Sequence, residues 1–148
     1  MNWDYIAGFF DGEGSIVKHG PTNYRISIPQ TNEAVLQKIK KFSNMGNIFK
    51  TTKRKEHWKD SWVYFIAKQR DVLLFSRKIF DKAIVKKEAI NRIMPIVEKI
   101  VMVHNKNKRL LQNKEKKCKL LRKKGLSYRS IGKLLGLDHG YVRRLIIR

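Results

Sequence analysis

The residues of this chain best placed to do chemistry are Asp11-Gly12-Glu13-Gly14, two carboxylates interleaved with glycines. They close the apolar run Ile6-Ala7-Gly8-Phe9-Phe10, which has the composition of a short helix that wants burial against something flat. Glycine inside a helix costs about 1 kcal/mol relative to alanine. Gly8 therefore points to close packing, and Ala7, Gly8 and Gly12 are small residues about a turn apart that let another backbone approach. Asp11 and Glu13 fall at the helix C-terminus, where the macrodipole disfavours anions. Carboxylates there are expected to gain no local stability, so a bound cation is the expected reason for them. Hard oxygen donors of this kind suit Mg²⁺.

The elements that position these residues follow in order. Asn2 has the right side chain to cap the first helix, with Asp4 in its favoured first turn. Ser15–His19 reads as a strand, Gly20-Pro21-Thr22-Asn23 as a turn, and Tyr24–Gln30 as a second strand. In that strand Ile26 and Ile28 face one way, Arg25 and Ser27 the other, the pattern of a half-buried strand. Thr31-Asn32-Glu33 opens a helix to about Ser43, with Val35, Leu36, Ile39 and Phe42 as its apolar stripe. A strand over Asn47–Thr52 leads into an exposed loop, and a strand over Trp62–Ala67 is apolar on both faces, so its inward set stays open. Helices are expected over Asp71–Phe80 and Lys86–His104, the latter interrupted near Pro95. Two hairpins with helices to cover one face make an α+β domain built on a four-stranded antiparallel sheet.

Ile6-Ala7-Gly8-Phe9-Phe10-Asp11-Gly12-Glu13-Gly14 resembles the signature motif of the LAGLIDADG homing endonucleases, and the likeness extends over roughly residues 3–103. It implies an αββαββα saddle whose sheet lies on double-stranded DNA. It implies that the motif helix packs on its twin across a two-fold axis, through Ile6, Ala7, Gly8, Phe10 and Asp11, and that the chain is a homodimer. Glu13, with the Gly12 carbonyl, would hold a catalytic Mg²⁺ or Mn²⁺, with Ca²⁺ binding but not supporting cleavage. Gln30 matches the glutamine near the metal-bound water. Lys86 matches the lysine that polarises the phosphate or activates water, with Lys87 as the alternative. One basic position of the family is Ala34 here, so the solvent network needs another member. The strand residues outside the helical layer would then read the major groove: Ser15, Val17, His19, Asn23, Arg25 and Ser27 from the first hairpin, and Phe49, Thr51, Lys53 and Arg54 from the second.

Composition agrees with a nucleic-acid partner. The 148 residues include 34 Lys and Arg against 12 Asp and Glu, a formal net charge of +22. Residues 1–103 hold 19 basic and 10 acidic side chains, and residues 104–148 hold 15 and 2, which marks the tail as a separate, more basic unit. Residues 105–117 read as a basic linker, helical or loose, and 118–148 as a small all-α domain, leaving 1–104 for the saddle. Within that tail, Leu126 to Ile146 resembles a helix-turn-helix, with Gly132 as the small residue, Gly136 at the turn and Asp138 as a cap. Its exposed side would carry His139, Tyr141, Arg143 and Arg144 to DNA. The single cysteine, Cys118, leaves no intramolecular disulfide, His57 and His104 lack metal-ligand spacing, and no run is long enough to span a membrane. With no signal-peptide pattern, the expected location is intracellular: cytoplasm, nucleoid or organelle matrix.

The function expected from these features is that of an intron-encoded, site-specific, metal-dependent DNA endonuclease. An intron RNA-splicing maturase and a non-catalytic DNA-binding regulator are the alternatives, and an intact Glu13 speaks against the regulator.

Overall fold

The structure, a computed structural model, describes residues 1–53 and 55–147; Arg54, one of the expected DNA contacts, lies outside the described residues. The chain forms two compact units, Met1–Val101 and Met102–Arg148. The first contains α1 (Trp3–Glu13), β1 (Ser15–His19), β2 (Asn23–Gln30), α2 (Glu33–Ser43), β3 (Asn47–Lys50), β4 (Trp62–Ile66) and α3 (Gln69–Ile79). The helix α4 (Lys87–Lys123) begins in the first unit and ends in the second, which adds α5 (Tyr128–Leu135) and α6 (His139–Ile147).

The α1 helix starts where the Asn2 side chain accepts the Tyr5 N–H at 2.9 Å, an N-cap that satisfies one of the orphan donors of the first turn. It stops at Gly14, whose N–H returns to the Phe10 carbonyl at 2.8 Å. A Cβ at Gly14 would fall 2.1 Å from the Phe10 ring, so only glycine lets that ring close over the helix end. Ile6, Ala7 and Phe10 are completely buried. Trp3 and Phe10 both meet Phe75 of α3 edge-on, at 5.8 and 6.0 Å between centroids.

The sheet order is β1-β2-β4-β3, antiparallel throughout. Register puts Ile26 opposite Ile66 and Ile28 opposite Tyr64, and these four side chains are fully buried under the helices. Leu36 and Ile39 of α2, with Val72, Phe75 and Ile79 of α3, close the core from above. Inside it, the Tyr64 hydroxyl donates to the Met45 carbonyl and pairs with the Ser43 hydroxyl, both at 3.0 Å, and burial pushes its pKa up to about 12. The β4 strand thus buries Tyr64 and Ile66 and leaves Val63 and Phe65 on the open face, the assignment its two apolar faces had concealed.

Two expectations are corrected, and a third gains detail. Ile6, Ala7 and Phe10 offer no surface to a partner, because helical periodicity points them into the core of their own subunit. Pro95 does not interrupt a helix: α4 runs through it, and the buried Ile90, Ile93 and Val97 hold the turns on both sides. Residues 105–117, read as a basic linker, helical or loose, are interior turns of α4. That stretch has no Gly or Pro and is rich in Lys, Arg, Leu and Gln, all good helix formers, and Glu115 pairs with Lys119 one turn on at 2.5 Å.

The second unit has its own small core, with Cys118, Ile131, Val142 and Leu145 buried together and Leu111, Leu135 and Leu137 packed around them. The turn between α5 and α6 rests on two glycines. Gly136 takes the left-handed conformation (φ 63°) and its N–H bonds the Gly132 carbonyl. At Gly132 a Cβ would fall 2.6 Å from the Leu137 carbonyl, so the chain folds back over a bare backbone. Asp138 accepts the Tyr141 N–H at 3.0 Å, capping α6 as its position in the sequence predicts.

Candidate functional site

Asp11 is not idle at its helix end. Its carboxylate accepts three backbone N–H groups from the start of α4 and the residues before it: Ile84 at 2.6 Å, Val85 at 3.1 Å and Lys86 at 3.0 Å. Lys86 answers in the other direction, its Nζ donating to the carbonyls of Phe10 (3.0 Å) and Asp11 at the end of α1. The expectation that both motif acids lack local stabilisation is therefore wrong for Asp11, whose partners are distant in sequence. Desolvation pushes its pKa up, but the three backbone donors and the Lys86 charge outweigh that and hold the carboxyl below the usual carboxylate range.

Glu13, by contrast, is exposed and has no hydrogen bond or ion pair among the described residues. The last turn of α1 holds no basic residue of its own, so an unpaired carboxylate meets the negative end of a helix dipole. Such an arrangement fits a hard cation, with the Glu13 carboxylate and the Gly12 carbonyl as its donors. Among the described residues no cluster of three or more His, Cys, Asp and Glu could hold a metal.

The two candidate lysines separate cleanly. Lys86 sits on the end of the motif helix, whereas the Lys87 ammonium lies over the Phe80 ring at 5.3 Å. Gln30 curls onto its own neighbour, accepting from the Thr31 N–H at 2.8 Å and the Thr31 hydroxyl at 3.3 Å, and no hydrogen bond joins it to Glu13 or Lys86. Its parity is that of Ile26 and Ile28, pairing with Trp62, so it belongs to the helix side of the sheet.

The six candidates of the first hairpin come together as three cross-strand pairs: Ser15 with Ser27, Val17 with Arg25, and His19 with Asn23. All six share the face opposite the core, because side chains alternate and register sets the rest. Val17 is 50% exposed there, and Phe49 from the second hairpin 45%. None of the four strands contains an Asp or Glu. Two candidates of the second hairpin are engaged within it. The Thr51 hydroxyl donates to the Ser61 carbonyl at 2.9 Å, extending the β3–β4 pairing, and Lys53 shares Asp60 with Lys50 at 2.9 and 2.8 Å. In α6, His139, Arg143 and Arg144 are exposed and Tyr141 is half-buried with the Arg144 guanidinium 5.9 Å from its ring.

Sequence reasoning missed Gln69. Its side-chain amide accepts the Tyr24 N–H at 3.0 Å and donates to the Tyr24 carbonyl at 2.8 Å and to the Ala67 carbonyl at 2.8 Å. It imitates a strand partner for β2 just where β4 has ended. A glutamine at the start of a helix carries no local signal of such a contact.

With the fold and the helix-end geometry in hand, comparison with known proteins identifies the family. Residues 3–80 match the family model described as a LAGLIDADG-like domain, more than half of the chain. The chain belongs to that family. Among solved structures it is similar to the archaeal intron-encoded homing endonuclease I-Vdi141I complexed with DNA, at 26% identity and a TM-score of 0.55 over 74% of this chain and 77% of that one. The homing endonuclease I-CvuI, in complex with its target in the presence of calcium, shares the fold at 16% identity and a TM-score of 0.54, over 97% and 91% of the two chains. A further I-CvuI complex matches over 65% of each chain, just under two thirds of that protein's length, with 16% identity and a TM-score of 0.50. No curated protein matches the sequence.

The Asp11 contacts set a pH dependence. A carboxyl whose folded pKa is depressed contributes stability that is present above its ordinary value of 3.8 and is lost as pH falls through the folded value. Asp4, Asp60 and Asp138 are depressed too, so the Asp11 share appears as a difference. Asp11→Asn should be less stable than wild type at pH 7, by about 1–3 kcal/mol, and the gap should narrow below pH 3.8. Urea unfolding of both proteins from neutral to acid pH measures this; a gap independent of pH would mean the charge is irrelevant.

Proposed function

We propose that this chain is a site-specific, metal-dependent endonuclease that cuts double-stranded DNA as a homodimer on a long, partly palindromic site. The observation that carries the reading is the Glu13 carboxylate, exposed and unpartnered at the end of the family's motif helix, beside a sheet without acids. That I-Vdi141I is a homing endonuclease complexed with DNA supports DNA as the substrate.

One chain offers a carboxylate and a carbonyl, well short of the six or so oxygens Mg²⁺ takes. The remaining donors would have to come from outside this chain, which is why a dimer is part of the proposal. A divalent ion held there supplies an activated water and neutralises charge on the reacting phosphate. Glu13 and the Gly12 carbonyl bind and orient it. Lys86, held at the same helix end, adds positive charge where the phosphate becomes more negative.

The partner surface differs from the residues first expected. Gly8 and Gly12 are open, with nothing within 4 Å of an added Cβ at either, and Tyr5 stacks on Phe9 beside them at 5.9 Å. Ile84 and Val85, on the segment that Asp11 anchors, are 85% and 75% exposed. A flat stripe of glycine flanked by aromatic and aliphatic side chains suits a second copy of the helix. The second unit is proposed as a helix-turn-helix that extends the DNA contact through His139, Arg143 and Arg144 of α6, with Tyr141 packed beneath them.

Three outcomes test these parts. Wild type should nick and then linearise target DNA with Mg²⁺, while Glu13→Gln should bind as well or better and lose cleavage, and Lys86→Ala should slow cleavage by on the order of 10²–10³ with little change in binding. Retained cleavage by Glu13→Gln makes the acid structural; wild type that binds DNA and never cuts is a regulator, and one that instead promotes intron RNA splicing is a maturase. At Gly8 the two effects oppose. Gly8→Ala should raise subunit stability by about 0.5–1 kcal/mol because its Cβ meets nothing, while Gly8→Leu should dissociate the dimer in sedimentation without unfolding it. A wild-type monomer that still cuts both strands rules the dimer out. In the tail, removing one phosphate-binding side chain lowers the slope of log affinity against log salt by roughly 0.9, so Arg143→Ala with Arg144→Ala should flatten it and shorten the footprint. An unchanged slope and footprint would make the second unit a stability or partner-binding appendage.

A further inference from the structure

We infer that Arg25 is a preset fork that reads a guanine in the major groove, and that Phe65 is the residue that positions it. The inference rests on the DNA reading above. The Arg25 guanidinium carbon lies 5.1 Å from the centre of the Phe65 ring, a cation–π contact that favours one position of the group over the ring. Phe65 is in turn fixed edge-on by Phe49 at 5.4 Å. The Arg25 Nε is buried with no hydrogen-bond partner. Among the described residues no carboxylate, carbonyl or hydroxyl takes any of its donors, so the two terminal nitrogens keep their access to solvent and have nothing to bond.

The position argues for a base rather than a phosphate. Arg25 pairs with Val17 at the middle of the β1–β2 ladder, between the Ser15–Ser27 and His19–Asn23 pairs, in the centre of the open face. The Gln69 amide fixes the neighbouring Tyr24 backbone from both sides, so the strand under Arg25 does not depend on β4, whose pairing ends at Ile26 with Ile66. A phosphate needs only a mobile positive charge. A guanidinium held against a ring, buried at Nε and open at its terminal nitrogens has two adjacent donors to offer, the complement of guanine O6 and N7. No acid on the four strands competes for those donors.

The experiment selects DNA from a randomised library with the full-length protein in Ca²⁺ and sequences what is bound, for wild type, Arg25→Lys and Phe65→Leu, each below its melting temperature. Wild type should enrich a guanine at one position in each half-site. Arg25→Lys keeps the charge and loses the fork, so preference at that position alone should drop on the order of tenfold to a hundredfold, with the other positions intact. Phe65→Leu should weaken the same preference, and only that one, several-fold. If Arg25→Lys changes no position, or weakens all sequences equally, Arg25 does not read a base. If Phe65→Leu leaves the guanine preference untouched, it does not position the fork. A wild type that enriches no sequence overturns the DNA reading itself.

Discussion

Two helix ends of opposite polarity are joined by each other's side chains in the first unit. The C-terminal carbonyls of α1 receive the Lys86 ammonium, and the N–H groups at residues 84–86 converge on the Asp11 carboxylate. Each charge sits where the helix dipole favours it: a cation at a C-terminus and an anion at an N-terminus. Hydrogen bonds to charged groups contribute about 1.5–3 kcal/mol each when well shielded, less where water reaches them as it does here. Their value lies in geometry as much as energy. The last turn of α1 cannot fray without breaking the start of α4, so Glu13, which has no partner of its own, is nevertheless held in place. The same junction carries Ile84 and Val85 out to the surface beside the open glycines of α1.

The sheet solves a second problem, presenting a basic and apolar face to solvent without collapsing on it. The four strands lack Asp and Glu, and among the described residues Arg25 has no ion pair to compensate its charge on that side. Aromatic rings take over the task of ordering. Phe65 and Phe49 lie on the open face, where pure burial arguments would not place them, and they orient Arg25 without neutralising it. Where a carboxylate would lock the guanidinium and cancel its charge, a ring locks it and leaves the charge available.

What the sequence reveals here is set by the range of the interactions. The β1 strand, the alternation of β2 and the caps at Asn2 and Asp138 are local patterns, and each is legible from a few residues. The face of α1 was legible in principle: positions 6, 7 and 10 recur at helical spacing, as do 5, 8 and 12, so the apolar set had to be the core and the glycine set the open stripe. The resemblance to a dimeric motif drew the apolar set onto the interface together with Gly8. Asp11 and Gln69 were illegible because their partners lie 73–75 and 45 residues away, and nothing near them in sequence announces a contact. The course of β4 was undetermined for another reason. Both of its faces are apolar, and only register distinguishes the buried Tyr64 from the open Phe65.

The second unit is marginal by its own physics. Four fully or nearly fully buried side chains make a small core, and a domain of this size hides a low fraction of its surface. Residues 104–148 carry 15 basic and 2 acidic side chains, and their mutual repulsion opposes compaction wherever the charges lie within a Debye length, about 8 Å at physiological salt. The glycine turn at Gly132 and Gly136 and the Asp138 cap supply specificity of shape. A polyanion does both at once: it neutralises the repulsion and stabilises by mass action whichever fold binds it. If, as proposed, the α6 surface binds DNA, occupancy of that surface would stabilise a unit whose own charge opposes its compaction.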